Sequence, residues 1–248
     1  MRFLLPALLS LAAIQTGAQP ETIPTPEGNI TITPILHSTM VIEWGGKTIF
    51  YDPYGGGERF AAFSAPDLVL ITDIHGDHLH KETLESLDLS ETELVAPQAV
   101  VGQLEGISFQ NIRALANGEQ TEWNGILVEA LPMYNLPETD DSRHPKGRGN
   151  GYLLTIGGKR IYLSGDTEDI PEMRQLQDID LAFVCMNLPY TMSIDQAADA
   201  VLAFRPKVVY PFHYRGKGGF SDVEAFKALV QKGNPEIEVR LLDWYPEQ

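Results

Sequence analysis

Hydrophobic and polar positions change their rhythm along this chain, and each rhythm predicts an element. Residues 29–36 (NITITPIL) and 39–53 (TMVIEWGGKTIFYDP) are rich in β-branched and aromatic side chains and predict strands, the second a hairpin turning at Gly45-Gly46. Residues 66–72 (PDLVLIT) form a short unbroken apolar run, as a strand covered on both faces would. HKETLESL (80–87) then predicts a helix; GILVEALPM (125–133) and GYLLTIGGKRIYLSGD (151–166) predict further strands, the latter turning at Gly157-Gly158. Beyond residue 170 the order is helix (170–177), strand (180–187), helix (193–204), strand (207–213), helix (221–232) and strand (238–244). Two of these helices carry capping boxes, Ser193…Gln196 and Ser221…Glu224. The fold class is therefore mixed α/β. No stretch reads as a linker, so residues 19–248 are expected to form one domain.

Residues 1–18 follow a different pattern. Met1-Arg2 precedes an apolar run from Phe3 to Ile14, and Thr16-Gly17-Ala18 supplies small residues for cleavage. This predicts a secretory signal peptide and a mature chain that is periplasmic or secreted. No other segment is long and apolar enough for a membrane anchor. The single cysteine, Cys185, lies in the apolar run LAFVCMN and reads as a small core residue. With 34 acidic and 18 basic side chains, a net charge of −16, the chain is a poor partner for nucleic acid.

The chemistry concentrates at residues 71–80, ITDIHGDHLH. Three of the six histidines of the chain fall here, interleaved with two aspartates, directly behind an apolar strand. Asp73 and His75 should point the same way from a loop, with Asp77 and His78 on the next bend and Gly76 permitting the turn. Oxygen and imidazole donors suit zinc, manganese or iron, and carboxylates this close repel unless a cation lies among them. Asp166 and His213 also follow strands, and His144 lies in the polar loop 135–150. In open α/β sheets ligands gather at the carboxyl ends of strands.

The order TDIHGDH, a lone downstream histidine, SGDT and a final PFH resembles the metallo-β-lactamase-fold hydrolase superfamily. The hairpin HSTMVIEWGGKTIFYDP is similar to that of the branch containing ascorbate-phosphate lactonases. The resemblance runs from about Ile35 to the C-terminus. It implies a four-layer αββα sandwich and two divalent ions, zinc first, with manganese or iron as alternatives. It implies Asp73, His75 and His144 at one ion, Asp77, His78 and His213 at the other, and Asp166 between them. A bridging hydroxide would be the nucleophile for an ester, lactone, amide or phosphodiester bond, and Asp77 would orient it or take its proton.

One position departs from the pattern, because Asp73 stands where the family has its first histidine. Counted alone, the three carboxylates and one hydroxide then balance two divalent cations, whereas a histidine would leave one positive charge. That count moves the preference towards manganese or iron, and Asp73→His is expected to stay active with an altered metal preference. It also leaves room for a one-metal site of Asp77, His78 and His213. Rival readings are a non-catalytic metal- or ligand-binding member of the fold and an iron-dependent oxidoreductase. His37, Tyr134, Asn187 and Tyr190 are placed near strand ends and are expected to contact a small-molecule substrate. His80 should turn away from the site on its helix. Arg143, Lys146 and Arg148 are read as solvated loop charges ahead of an anion-binding group.

Overall fold

The computed structural model describes residues 19–139 and 141–246. The signal peptide expected at residues 1–18 lies outside the described residues. Two seven-stranded sheets form the centre. The first runs β1 (Glu21–Ile23), β2 (Ile30–Leu36), β3 (Thr39–Trp44), β4 (Lys47–Tyr51), β5 (Leu68–Leu70), β6 (Glu93–Ala96) and β7 (Asn111–Ala114), neighbours in sequence being neighbours in space. β1 to β4 are antiparallel hairpins; β4 to β7 are parallel. The second sheet repeats this plan with β8 (Gln120–Trp123), β9 (Ile126–Met133), β10 (Gly149–Ile156) and β11 (Lys159–Leu163) antiparallel. β12 (Leu181–Cys185) and β13 (Val208–Phe212) then run parallel to β11. A ribbon, β14 (Arg215–Gly216) and β15 (Gly219–Phe220), precedes the last strand, β16 (Glu238–Val239), which pairs with β13.

The helices are α1 (Lys81–Glu85), α2 (Gln98–Val101), α3 (Pro171–Arg174), α4 (Ile194–Phe204) and α5 (Val223–Gly233). Ile32, Ile42, Tyr51 and Leu70 of the first sheet share a core with Val128, Tyr152, Leu154 and Leu163 of the second. Alternate residues of the first sheet (Val41, Phe50, Val69, Leu94) face outward onto Leu84 of α1 and Val100 of α2. Ala197, Val201 and Phe204 of α4 and Phe226 and Val230 of α5 are buried against the second sheet. The layers are thus α, β, β, α, as the sequence implied.

Three elements differ from the sequence pattern. α3 is one turn long, because the residues after it lack an apolar face and Asp178 takes a left-handed φ of 54°. The expected strand 238–244 pairs only at Glu238 and Val239; the chain then leaves the sheet and buries Trp244 against Phe183 and Phe212. α5 is capped by Asp222, whose carboxylate accepts from Ala225 N, while the Ser221 hydroxyl donates to the Met186 carbonyl. The box at Ser193 and Gln196 forms as expected.

Candidate metal centre

Strand ends deliver the candidate residues. His37 follows β2, Asp52 follows β4, Asp73 comes three residues after β5 and Asp166 three after β11, Asn187 two after β12, and His213 directly after β13. Both sheets therefore present their carboxyl edges to one cleft. His37, Asp52 and His213 hold left-handed backbones, with φ of 64°, 44° and 46°, a conformation that costs about 1–3 kcal/mol and clusters at functional sites. Gly165 has φ +60°, and a Cβ there would meet Met133 Sδ at 2.7 Å, so the tight turn before Asp166 needs glycine.

Asp166 lies at the middle. Its Oδ1 is 3.1 Å from His213 Nε2; its Oδ2 is 3.3 Å from His144 Nε2 and 3.4 Å from His78 Nε2. Asp77 Oδ2 is 3.5 Å from His213 Nε2, and Asp77 Oδ1 is 4.0 Å from His78 Nε2. Asp73 Oδ2 is 2.6 Å from His75 Nδ1 and 4.0 Å from His144 Nε2. The structure thus brings all seven sequence-predicted residues together. They fall into three overlapping groups with His37: Asp73, His75 and His144; His78, Asp166 and His213; and His37, Asp77 and His213.

Three buried atoms of this cluster, His75 Nδ1, His144 Nε2 and Asp166 Oδ1, have no hydrogen-bond partner. Buried polar atoms are nearly always satisfied, so unpartnered nitrogens and a carboxylate oxygen converging in one place fit a cation. The donor set of imidazole nitrogen and carboxylate oxygen is one that divalent transition metals accept.

The far side of each buried ring is held. His78 Nδ1 lies 2.7 Å from Asp52 Oδ2, and that carboxylate is fixed by the amide and hydroxyl of Thr72. His144 Nδ1 is 3.1 Å from Asn135 Oδ1, which also accepts from His144 N. His213 Nδ1 is 3.2 Å from the Asn187 amide. The Asp52 and Asn135 oxygens can take the Nδ1 protons of His78 and His144 and leave their Nε2 free to face inward, while the Asn187 contact orients the His213 ring. Burial pushes His213 down to about 3 even though Asp166 opposes it. Burial works against the charged form of Asp166 as well, but His213 and His78 outweigh it and hold the carboxyl well below its usual range.

The expected substrate contacts divide. His37 is buried, with Nε2 3.3 Å from Asp77 Oδ2 and Nδ1 2.7 Å from the Tyr245 hydroxyl, so it borders the cluster. Asn187 is buried behind His213, a support where a substrate contact was expected. Tyr134 is also buried, and its hydroxyl donates to Glu172, a bond within the loop framework instead of a group offered to substrate. Tyr190 is half-buried under the Arg143 guanidinium, 4.5 Å from its ring centre. His80 caps α1, its ring nitrogen accepting from Thr83 N. Lys146 pairs with Glu172 at 2.9 Å.

Arg148 is not a solvated charge. Its Nε and Nη2 donate to the two oxygens of Asp73 at 3.1 and 3.0 Å. The charge count made from Asp73 alone omitted this guanidinium. Asp52, Asn135, Tyr245 and this role of Arg148 escaped the sequence reading. For Asp52 a signal existed, since FYDP ends a strand just as SGDT does.

Residues 31–213 match the family model described as the beta-lactamase superfamily domain. The chain belongs to the beta-lactamase superfamily. Within this superfamily it is 30% identical over 205 residues to a UPF0173 metal-dependent hydrolase of Pyrococcus abyssi, covering 78% of this chain and 89% of the relative. A crystal structure from Parabacteroides distasonis, provisionally named a metal-dependent hydrolase, is 36% identical with a TM-score of 0.80, covering 90% of this chain and 98% of that one. Igni18, a metallo hydrolase of Ignicoccus hospitalis, shares the fold at 24% identity and a TM-score of 0.71, covering 86% of this chain and 94% of that one. The chain groups with metal-dependent hydrolases of the metallo-β-lactamase fold.

Proposed function

We propose that this chain is an exported hydrolase that holds two divalent ions, zinc first, and cleaves an ester, lactone, amide or phosphodiester bond of a small molecule. The observation that carries the reading is Asp166, whose one carboxylate faces His213 with one oxygen and His78 and His144 with the other. Asp73, His75 and His144 would hold one ion; Asp77, His78 and His213 the other. Bound there, such ions lower the pKa of water and polarise the scissile group.

The protein's own part is positioning and proton handling. Asp77 keeps 32% of its side chain exposed, against 5% for Asp166 and none for His78 and His213, so it is the carboxylate most open to the cleft. It can accept a proton at Oδ1 while His37, anchored by Tyr245, steadies Oδ2. Burial alone would raise its pKa, but His78, His37 and His213 outweigh that and keep it ionised. Lactones and phosphodiesters rank above β-lactams because of the N-terminal hairpin. Export rests on the sequence of residues 1–18.

The test combines metal analysis of the mature protein with a screen of the four bond classes. Asp77→Ala should abolish turnover in a protein that still folds, as a wild-type circular dichroism spectrum would show. Inactivity of the metal-loaded protein towards all four classes would refute hydrolysis. Iron-dependent oxidation without hydrolysis would support the oxidoreductase reading, and protein that retains no metal the ligand-binding one.

A further inference from the structure

We infer that Asp73 and Arg148 act as one unit in place of a neutral histidine, with Arg148 a positioning residue for the first metal lobe. This rests on the metal reading above. The Asp73 side chain is fully buried, and both its oxygens accept from the Arg148 guanidinium. A carboxylate and a guanidinium sum to zero charge, as a neutral imidazole does. The lobe therefore keeps the charge of a three-histidine set although one member is an aspartate. The preference for manganese or iron that follows from Asp73 counted alone is thereby removed.

Arg148 also closes the geometry. Its Nη2 donates to the Arg143 carbonyl at 2.7 Å, so the guanidinium ties the loop that carries His144 to the loop that carries Asp73 and His75. Asp73 Oδ2 accepts from Arg148 with one lone pair and retains another. That oxygen lies 2.6 Å from His75 Nδ1, so the two donor atoms of this lobe stand side by side. With its fork engaged on both carboxylate oxygens, Arg148 is a poor anchor for a substrate anion.

Asp73 is fully buried while Arg148 keeps 21% of its side chain exposed, so the carboxylate is the costlier of the two to leave alone. Asp73→His strands the guanidinium beside a cation site; Arg148→Met leaves the carboxylate uncompensated and the loop untied. The double variant Asp73→His/Arg148→Met restores a neutral lobe.

The experiment loads wild type, both single variants and the double variant with zinc and with cobalt(II). It reads ion equivalents, the dissociation constant of the weaker position by chelator competition, and the cobalt absorption spectrum. Each single variant should weaken that position by about tenfold or more, and the double variant should return to within about threefold of wild type. If Arg148→Met does not fold, the recovery from Asp73→His to the double variant decides alone. A double variant no better than Asp73→His, or Arg148→Met binding both ions like wild type, overturns the pairing. Wild-type protein retaining no ion overturns the pairing together with the metal reading; two ions retained without rescue overturn the pairing alone.

Discussion

Asp52 shows how the centre is built from behind. It is fully buried, and burial raises its pKa despite the opposing His78, so its ionised form depends on that ring and on Thr72. Asp52→Ala would free the His78 ring and lower metal affinity by about 10–100-fold, measurable by chelator competition. The cluster itself was readable because five of the ten residues 71–80 are histidine or aspartate. Most of its supports were not, since they come from distant strands or loops: Asp52 is 26 residues from His78, and Tyr245 is 208 from His37. Asp73 illustrates the same limit, because nothing local in TDIHGDH indicates that a guanidinium 75 residues away neutralises it. Cys185 behaves as its apolar neighbours suggest. Burial pushes its thiol up to about 11, so thiol reagents at pH 8 should label the folded protein only after denaturant is added.

Among elements, those with strong apolar periodicity were legible and those defined by pairing alone were not. α4 and α5 both carry such a face and fall where the pattern puts them. β7 consists entirely of exposed residues and exists only because β6 offers it a parallel edge, so no alternation reveals it. The C-terminal segment misled in the other direction: RLLDW looks like strand, yet its side chains serve packing beyond the sheet. The caps allow a direct check. Ser193→Ala and Asp222→Ala should each cost about 1 kcal/mol, lowering the melting temperature by roughly 2–4 °C. Ser221→Ala should leave the α5 amides capped, and its cost should come from the lost bond to Met186.

At the scale of the molecule, two halves with the same order of antiparallel then parallel strands meet so that their carboxyl edges share one cleft. Neither half holds the centre alone. His37, Asp73, His75, Asp77 and His78 come from the first, and His144, Asp166 and His213 from the second. Ions bound across that seam should stabilise the whole fold, because they bind the native arrangement and not the unfolded chain. Removal by a strong chelator should lower the melting temperature, and restoring zinc should recover it, as followed by calorimetry. No helix among the described residues is long and apolar enough to cross a membrane. The mixed α/β class was legible because hydrophobic alternation marks strands and helices, and the αββα layering was implied by the family resemblance; the seam was not legible, because register and loop direction are settled only when both sheets pack.

The most direct test of the shared centre is elemental analysis of the purified protein beside its Asp166→Asn variant. Wild type should retain two equivalents of divalent metal and the variant at most one, with a similar circular dichroism spectrum. A wild type that binds none, or a variant that keeps both, would contradict the account.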